Sequence, residues 1–270
     1  MTGPLPRQLR MRFVKLGKIR FTSHRDVARM WERALRRSRL PVAWSEGFSP
    51  RPLLSFGLAL PTGDESLAEY LDVRLDVAGP ETTGLAEPAQ GLDPDARAAL
   101  AELPGRLSPL LPDGIDVVAA GAVGIGVGSL QQEVTSCTWE LEVLGLDPAV
   151  LGTRVESFLR APSILIRRER KGREHEDDIR ANVTELSVTG PVRREHMAQG
   201  PVCGLRVEMT TQPRGVRPAE LVQGLGSDVV LARACRTQQW IERDGSRLEP
   251  LPWGGVRPGT DVPHANERAS

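Results

Sequence analysis

The order in which strand-like and helix-like segments follow one another constrains the fold of this 270-residue chain most. In the first half, segments of alternating apolar residues and amphipathic segments follow as strand, helix, strand, strand, helix and strand. The predicted segments are residues 9–14, 23–39, 53–60, 69–77, 95–103 and 115–120. This order is typical of a ferredoxin-like βαββαβ module and predicts an α+β fold.

The second half repeats the order of elements, although it does not repeat the residues. Its predicted segments are 138–144, 147–160, 164–168, 179–188 paired with 205–211, 218–225 and 231–242. The sequence therefore predicts two tandem ferredoxin-like modules with a flexible C-terminal tail. The expected boundaries are a basic N-terminal module at 1–120, a glycine-rich linker at 121–132, a second module at 133–244 and a loose tail at 245–270.

The segment 23–39 carries clear signals of a helix. Ser23 is placed to cap it with Asp26 three residues later, and Pro41 stops it. Apolar residues recur at helical spacing: Val27, Met30, Trp31, Ala34 and Leu35. Arginines fall on roughly the opposite face: Arg25, Arg29, Arg33 and Arg36. We expect this helix to pack on a sheet while it presents a row of guanidinium groups outward.

Charge is distributed unevenly along the chain, although its net charge is zero. The first 52 residues contain thirteen Lys and Arg residues against three acidic residues, so the remainder carries the opposite excess. We call residues 1–52 the basic head and the remainder the acidic body. This separation of charge suggests a polyanionic partner, of which nucleic acid is the commonest. The alternative is a solvated basic surface that the acidic body balances.

The basic head also has the features of a surface for single-stranded RNA. Lysines and arginines precede and line the helix, and a Gly- and Pro-rich loop follows it at residues 45–52. A phosphate backbone needs several cations at fixed spacing, and an aromatic ring can stack on a base. The predicted binding residues are Lys15, Lys18, Arg20, Arg25, Arg29, Arg33, Arg36, Phe48 and Arg51. The alternative is a solubilising helix beside a structural loop whose Phe48 fills the core.

Two residues at the start of the helix are weak candidates for catalysis. His24 could act as a general acid or base that Asp26 assists, as in a hydrolase or transferase acting on a nucleotide-type substrate. The alternative is local structure, in which Asp26 completes the cap and His24 forms a nearby hydrogen bond. The spacing identifies no second catalytic group, and the chain has no GxxxxGK[ST], GxGxxG, HExxH or GxSxG motif.

Cysteine spacing and hydropathy argue against several other classes. Cys137, Cys203 and Cys235 form no CxxC pair, which indicates neither a zinc site nor a disulfide framework. We expect no metal, no cofactor and buried strand thiols. The chain has no run of about 18 apolar residues, and residues 1–13 lack the apolar core of a signal peptide. The expected location is therefore the cytoplasm.

A second basic run lies at residues 167–173 and is followed by acidic residues. Opposite charges in a hairpin usually form a solvated loop, and the pattern favours that interpretation. The alternative is that Arg170, Lys171 and Arg173 extend the phosphate path.

Three stretches of this sequence resemble a known family. The first, at residues 14–73, is VKLGKIRFTSHRDVARMWERALRRSRLPVAWSEGFSPRPLLSFGLALPTGDESLAEYLDV. The others are KGREHEDDIRANV at 171–183 and ACRTQQWIERDG at 234–245. Over roughly residues 9–245 the chain is similar to the bacterial radical-SAM-linked protein family, a domain of unknown function. That family commonly has DIRP where this chain has Ala181 after Arg180, which argues against a functional role for that loop.

The resemblance implies a partner and supplies no catalytic residues. Members occur alone or joined to the C-terminal side of a radical SAM protein, so a radical SAM partner in trans is implied. The chain has no CxxxCxxC motif for an iron–sulfur cluster, so radical chemistry would belong to that partner. Stand-alone members are often encoded near ribonuclease and ribosomal protein genes, which is compatible with an RNA-linked role.

From the residues and the resemblance we expect a non-catalytic accessory protein that binds transfer or ribosomal RNA and presents it to a radical SAM enzyme. A second hypothesis is an enzyme that uses His24 and Asp26. A third is a protein–protein adaptor whose arginine face meets an acidic patch on the radical SAM partner.

Overall fold

The computed structural model describes residues 5–77, 92, 94–123, 128–170, 172–192 and 202–251. Within these ranges the chain forms five α-helices and eleven β-strands, so the fold is mixed α+β as the sequence predicts. The chain divides into two compact units. Unit 1 comprises Met1–Val134 and Ile241–Ser270, and unit 2 comprises Thr135–Trp240.

Strands and helices alternate along most of the chain. The strands are β1 (Gln8–Lys15), β2 (Leu54–Phe56), β3 (Glu65–Arg74), β4 (Ile115–Ala122), β5 (Ser136–Leu144), β6 (Leu165–Arg170), β7 (Arg173–Asp178), β8 (Val183–Pro191), β9 (Val202–Thr210), β10 (Val230–Arg243) and β11 (Ser246–Leu248). The α-helices are α1 (His24–Ser38), α2 (Pro94–Leu107), α3 (Leu130–Glu133), α4 (Pro148–Arg160) and α5 (Pro218–Leu225). None of the described helices has the length and apolar character of a membrane span.

Unit 1 packs two helices on an antiparallel sheet. The strand order is β4–β1–β3, and β2 also pairs with β3. Side chains alternate along β1, so Leu9, Met11 and Phe13 share one core with the buried residues of α1 and α2. The rings of Phe13 and Trp31 meet edge to face with their centroids 5.1 Å apart. The apolar face of α1 therefore packs on the sheet, as its spacing predicts.

The opposite face of β1 carries two buried arginines. Arg10 donates to both carboxylate oxygens of Asp72, at 2.7 and 2.8 Å. Arg12 donates to the Glu249 carboxylate at 2.7 Å, and its guanidinium lies 5.7 Å from the ring centroid of Tyr70. A buried charge is costly unless it is paired, and both arginines have a carboxylate partner. These two members of the basic head therefore have a structural role.

Unit 2 pairs its strands in the order β10–β5–β9–β8, and every pairing is antiparallel. The predicted pairing of 179–188 with 205–211 is confirmed as β8 with β9. The three thiols of Cys137, Cys203 and Cys235 lie on strands and are buried, as predicted. Burial raises the pKa of the Cys203 thiol, which keeps it protonated and weakly nucleophilic.

A charged hairpin in unit 2 differs from the prediction. The sequence placed residues 164–168 in the main order of strands, whereas β6 pairs with β7 in a separate two-stranded sheet. Arg167 faces Glu176 at 3.5 Å, and Arg168 contacts the Glu220 carboxylate at 2.7 Å. Because these strands carry mainly opposite charges, little apolar surface drives them into the larger sheet. The phosphate path suggested for Arg170, Lys171 and Arg173 lies outside the described residues and side chains.

The segment expected to link the modules is partly regular. Residues 121–122 belong to β4, and residues 130–133 form α3. The amide of Gly128 donates to Glu133 at 3.0 Å, which holds the start of α3. Residues 124–127 of the predicted linker lie outside the described residues.

The C-terminal segment also differs from the expected loose tail at 245–270. β11 pairs with the end of β10, where Ile241 lies opposite Leu248. Arg10 then donates to the carbonyl oxygen of Pro250 at 3.3 Å. The segment 246–251 therefore packs in unit 1, and residues 252–270 lie outside the described residues.

Candidate nucleic-acid interface

Helix α1 begins and ends where its sequence signals predict. The amide of Asp26 donates to the Ser23 hydroxyl at 3.2 Å, and that hydroxyl donates to the Asp26 carboxylate at 2.7 Å. The predicted N-cap is thus confirmed. At the other end, Arg39 has a φ of 58° in the left-handed region, which ends the helix before Pro41.

The outer face of α1 carries the predicted row of arginines. Val27, Trp31 and Leu35 are buried. The exposed side chains that we call the arginine stripe are Arg25, Arg29, Arg33 and Arg36. With a rise of about 1.5 Å per residue, the stripe extends about 16 Å along the helix axis.

The stripe is only weakly neutralised. Arg29 pairs with Asp26 at an N–O distance of 3.5 Å, and both side chains are about half exposed. Among the described residues, neither Arg25 nor Arg33 has an acidic partner. An exposed pair at this distance contributes little, so the stripe keeps its positive potential.

The loop after α1 is closed on itself and projects an aromatic ring. The amide of Ser45 donates to the Arg51 carbonyl at 2.8 Å, and the Arg51 amide donates to the Ser45 hydroxyl at 3.0 Å. Gly47 has a φ of +116°, a conformation that glycine adopts without strain. Phe48 at the tip is fully exposed. The alternative that Phe48 fills the core is therefore wrong.

Arg36 connects the helix to this loop. Its guanidinium lies 4.6 Å from the ring centroid of Trp44 and donates to the Pro50 carbonyl at 3.4 Å. Trp44 in turn forms an isolated bridge with Pro52 at the base of the loop. Arg36 therefore holds the loop beside the stripe, which is a positioning role that the sequence did not predict.

Two exposed aromatic residues were missed by the sequence reasoning. Phe21 lies under the guanidinium of Arg20, with 4.4 Å between the guanidinium carbon and the ring centroid, and is 63% exposed. Trp44 is 39% exposed beneath Arg36. The chain has only eleven Phe, Trp and Tyr residues, so aromatics just before and just after an arginine-rich helix were an available signal.

Lys15 does not contribute to this surface, which corrects the prediction. It is 3% exposed, and its ammonium group donates to the carbonyl oxygens of Arg20 and Thr22 at 3.1 and 3.0 Å. Burial lowers the pKa of the Lys15 ammonium, and the nearby Glu69 and Asp64 carboxylates partly oppose that effect. Lys15 ties the end of β1 to the turn before α1 and is not available to a phosphate.

The other predicted cations before α1 lie in different surroundings. Arg20 is half-buried, donates to the Gly17 carbonyl at 3.3 Å and lies 3.6 Å from the Glu65 carboxylate. Lys18 is exposed on the short 3-10 turn Gly17–Phe21. Arg51 is exposed on the loop. Lys18 and Arg51 therefore remain available to a ligand, while Arg20 is partly neutralised.

Asp26 completes the cap of α1, and His24 contacts an aromatic ring. The His24 ring meets the Phe56 ring edge to face at 5.1 Å. The cavity that His24 lines with Lys15 and Glu69 has a volume of about 10 Å³, which is room for about one water molecule. The Asp26 carboxylate accepts from Ser23 and pairs with Arg29, and no hydrogen bond joins it to His24 within the described part of the chain.

No metal centre emerges from the described residues. In that part of the chain, no group of three or more His, Cys, Asp or Glu side chains is placed to hold a metal ion. The fold and the site thus define an α+β protein whose most distinctive surface is an exposed basic helix beside an aromatic loop.

A family model described as an uncharacterized protein conserved in bacteria (DUF2344) matches residues 8–218. The chain therefore belongs to this family, in agreement with the expected resemblance to a bacterial domain of unknown function. No curated protein matches the sequence.

Among solved structures, the chain is similar to one titled "Crystal Structure of a Cbf5-Nop10-Gar1 Complex", at 12% sequence identity and a TM-score of 0.43. The likeness covers 86% of this chain and 48% of that chain, so it spans about half the length of the solved chain.

Proposed function

We propose that this protein is a non-catalytic accessory factor that binds transfer or ribosomal RNA through the arginine stripe and the loop of Phe48. The observation that carries the proposal is Arg36, which stacks on Trp44 and donates to Pro50. It holds a fully exposed aromatic ring beside a row of exposed guanidinium groups.

The chemistry of this surface suits a single-stranded segment of RNA. Guanidinium groups bind phosphate oxygens by paired hydrogen bonds, and the stripe offers them along one side of a rigid helix. An exposed phenylalanine costs free energy in water and can stack on an unpaired base. Lys18 and Arg51 would extend the phosphate contacts on either side of the helix. The members that act directly are therefore Lys18, Arg25, Arg29, Arg33, Phe48 and Arg51.

The electrostatic part is tested with a triple variant, Arg25→Ala with Arg29→Ala and Arg33→Ala. For binding of oligo(U) and of purified transfer RNA, we expect the slope of log Kd against log salt to fall in magnitude by about 2, since each lost phosphate contact removes ~0.7 on a single strand. The matched control removes three exposed arginines elsewhere, Arg160, Arg206 and Arg247, and should leave the slope unchanged. Equal slopes for the two triple variants would contradict the proposal.

The stacking part is tested with Phe48→Ala. We expect RNA affinity to fall at least about fivefold, since a stacked base contributes ~1–3 kcal/mol. The thermal midpoint should not change, because the ring is fully exposed and leaves no cavity. Val150→Ala in α4, another exposed apolar residue, is the control. Unchanged affinity in Phe48→Ala would remove the loop from the proposal.

We further propose that the protein acts with a radical SAM enzyme in trans, the partner that the sequence resemblance implies. Support comes from the resemblance and from the missing cluster motif in this chain. Affinity purification from the source bacterium with nuclease treatment separates the two modes of association. Loss of the radical SAM enzyme after nuclease treatment supports bridging by RNA, whereas retention supports a direct adaptor role for the arginine face.

We also infer that each unit is a ferredoxin-like module. In unit 1, strands β1 to β4 are arranged in space as fourth, first, third and second, with α1 and α2 as the connecting helices. In unit 2, strands β5, β8, β9 and β10 have the same arrangement, and the charged β6–β7 hairpin is inserted between α4 and β8.

A further inference from the structure

Unit 1 contains a concave surface that the arginine stripe does not use. Its volume is about 450 Å³, within the usual range for small-molecule sites. Its polar lining consists of Gln8, Ser45, Arg51, Ser55, Asp72 and Arg74. Its apolar lining is the short segment 52–54. A site with an apolar wall and a few polar groups suits a ligand that is part flat ring and part anion.

Strand geometry explains why these side chains converge. Asp72 and Arg74 are two residues apart on β3, so they project from the same face of the sheet. Gln8 of β1 lies opposite Arg74, and Ser55 of β2 lies opposite Asp72. This face is opposite to the one on which Leu9, Met11 and Phe13 pack against the helices. Rigid strands therefore supply four of the six polar groups.

The charge of the concave surface is positive. Its one acidic lining residue, Asp72, is held by two hydrogen bonds from the buried Arg10 and is thereby neutralised. The exposed guanidinium groups of Arg51 and Arg74 have no acidic partner among the described residues. Two uncompensated cations at a concave surface favour an anion, and planar guanidinium groups favour phosphate in particular.

The loop at residues 45–52 borders both the arginine stripe and the concave surface. It contacts the arginine stripe through the Pro50 carbonyl, which accepts from Arg36. It lines the concave surface through Ser45, Arg51 and Pro52. The stripe and the concave surface therefore share this loop.

We propose that this concave surface binds a single nucleoside phosphate. Arg51 and Arg74 hold the phosphate, and the Gln8 amide and the Ser45 and Ser55 hydroxyls offer hydrogen bonds to the sugar and the base edge. The base packs on the apolar segment 52–54. The inference rests on the proposed function in that the RNA on the stripe supplies this nucleotide, although a free nucleotide offers the same chemistry.

The experiment uses the full chain and titration calorimetry with four probes. They are adenosine 5′-monophosphate, adenosine, and a uridine tetranucleotide with and without a 5′-phosphate. We expect adenosine 5′-monophosphate to bind at least tenfold more tightly than adenosine if the source is a free nucleotide. If the source is an RNA end, the 5′-phosphorylated tetranucleotide should instead bind at least tenfold more tightly than the unphosphorylated one.

In either case the advantage of the phosphate should be lost in Arg74→Ala and in Arg51→Ala. Both side chains are exposed, so these variants should keep the thermal midpoint of the wild type. Arg97→Ala on α2, an exposed arginine of the same unit away from this surface, should keep the advantage. The inference would be overturned if the wild type bound the phosphorylated and unphosphorylated probes of both pairs equally tightly. It would also be overturned if Arg74→Ala still bound the phosphorylated probe more tightly.

Comparing the binding of these probes with the binding of transfer RNA also separates this inference from the proposed function. The stripe variant lacking Arg25, Arg29 and Arg33 should keep the advantage of whichever phosphorylated probe the wild type prefers and lose affinity for transfer RNA. The Arg74→Ala variant should show the opposite selectivity. If only the phosphate advantage is missing, the concave surface is not a nucleotide site and the stripe proposal stands.

Discussion

Arginine has two distinct roles in unit 1, and the position of each side chain decides which. Arg10 lies on the inner, polar face of β1 and is fully buried against Asp72. Arg25 and Arg33 lie on the outer face of α1 and are exposed. Both kinds add equally to a count of charges, but only the second kind is available to a ligand. The positive excess of the first 52 residues therefore overstates the strength of the binding surface.

Lys15 gives a prediction at the level of a single titrating group. Burial lowers its pKa in the folded state, so the unfolded chain holds this proton more strongly. Above the folded pKa and up to the unfolded value of ~10.4, stability should therefore rise with pH and then level off. Urea unfolding of the wild type and of Lys15→Met from neutral pH to about pH 10.4 measures this effect as the difference between the two profiles.

Lys15→Met is also destabilised at every pH, because the carbonyl oxygens of Arg20 and Thr22 lose their donor. That loss is independent of the titration and cancels when only the pH dependence is compared. Parallel profiles for the two proteins would show that the ammonium group is as well solvated as in the unfolded chain.

At the level of elements, local signals were enough to place α1 and not enough to place β2. Ser23, Asp26 and Pro41 all act within a few residues, so the sequence predicted both ends of the helix to within two residues. The predicted strand 53–60 contains only Leu54–Phe56, because the length of a strand depends on how far it pairs with its neighbour β3, which no local pattern shows. The hairpin β6–β7 was misplaced for another reason, because its charged strands pair with each other and not with the larger sheet.

The exposure of Phe48 was likewise not decidable from the sequence. An apolar residue on a loop is found in cores and on binding surfaces alike, and the neighbouring Gly47 and Pro50 suit either case. What decides the outcome is the contact of Arg36 with Trp44 and Pro50, which holds the loop away from the core. The list of cations on α1 was predictable from helical spacing, whereas this link between helix and loop was not.

The helix–loop link gives a prediction at the level of elements. Arg36→Lys keeps the charge but removes the planar guanidinium group, which stacks on the Trp44 ring and donates to the Pro50 carbonyl. We expect oligo(U) affinity to fall about two- to fivefold, corresponding to ~0.5–1 kcal/mol for an exposed cation–π contact, while the salt slope stays constant.

Arg37→Lys is the matched control for this prediction. Arg37 is an exposed arginine of α1 that is not part of the stripe, and the described residues place no aromatic ring beneath it. Its replacement should leave oligo(U) affinity close to that of the wild type. Equal losses in Arg37→Lys and Arg36→Lys would mean that the loop is held in place by other contacts.

At the level of the whole molecule, unit 1 is assembled from both ends of the sequence. Arg12 on β1 donates to Glu249, 237 residues later, and Arg10 reaches the Pro250 carbonyl, 240 residues later. No periodicity or motif encodes a contact at such a separation, so the sequence predicted a loose tail here. The polar face of β1 offered an indirect signal, because buried arginines need a carboxylate from elsewhere.

Glu249→Gln tests this long-range pairing. Glutamine has a similar size but no charge, so the buried Arg12 would lose its ion pair with Glu249. We expect the free energy of unfolding to fall by ~3–5 kcal/mol, the usual effect of removing one partner of a buried pair. Urea unfolding gives the magnitude, and hydrogen exchange should report lost protection in β1 and β3 before β9.

Glu242→Gln on β10 is the control, since that side chain is exposed. It should change the free energy of unfolding by no more than ~0.5 kcal/mol. If Glu249→Gln is as mild as this control, water or a neighbouring carbonyl such as that of Leu251 satisfies Arg12, and the pairing contributes little.

The pairing of Arg12 with Glu249 also bears on how a ribosome makes this protein. The amino-terminal strand emerges first, yet its carboxylate partner is translated only after all of Thr135–Trp240. At a synthesis rate of ~5–20 residues per second, the Glu249 carboxylate becomes available to Arg12 only roughly 10 to 50 seconds after β1 has been made. A nascent chain in that interval exposes additional positive charge beside the RNA of the ribosome itself.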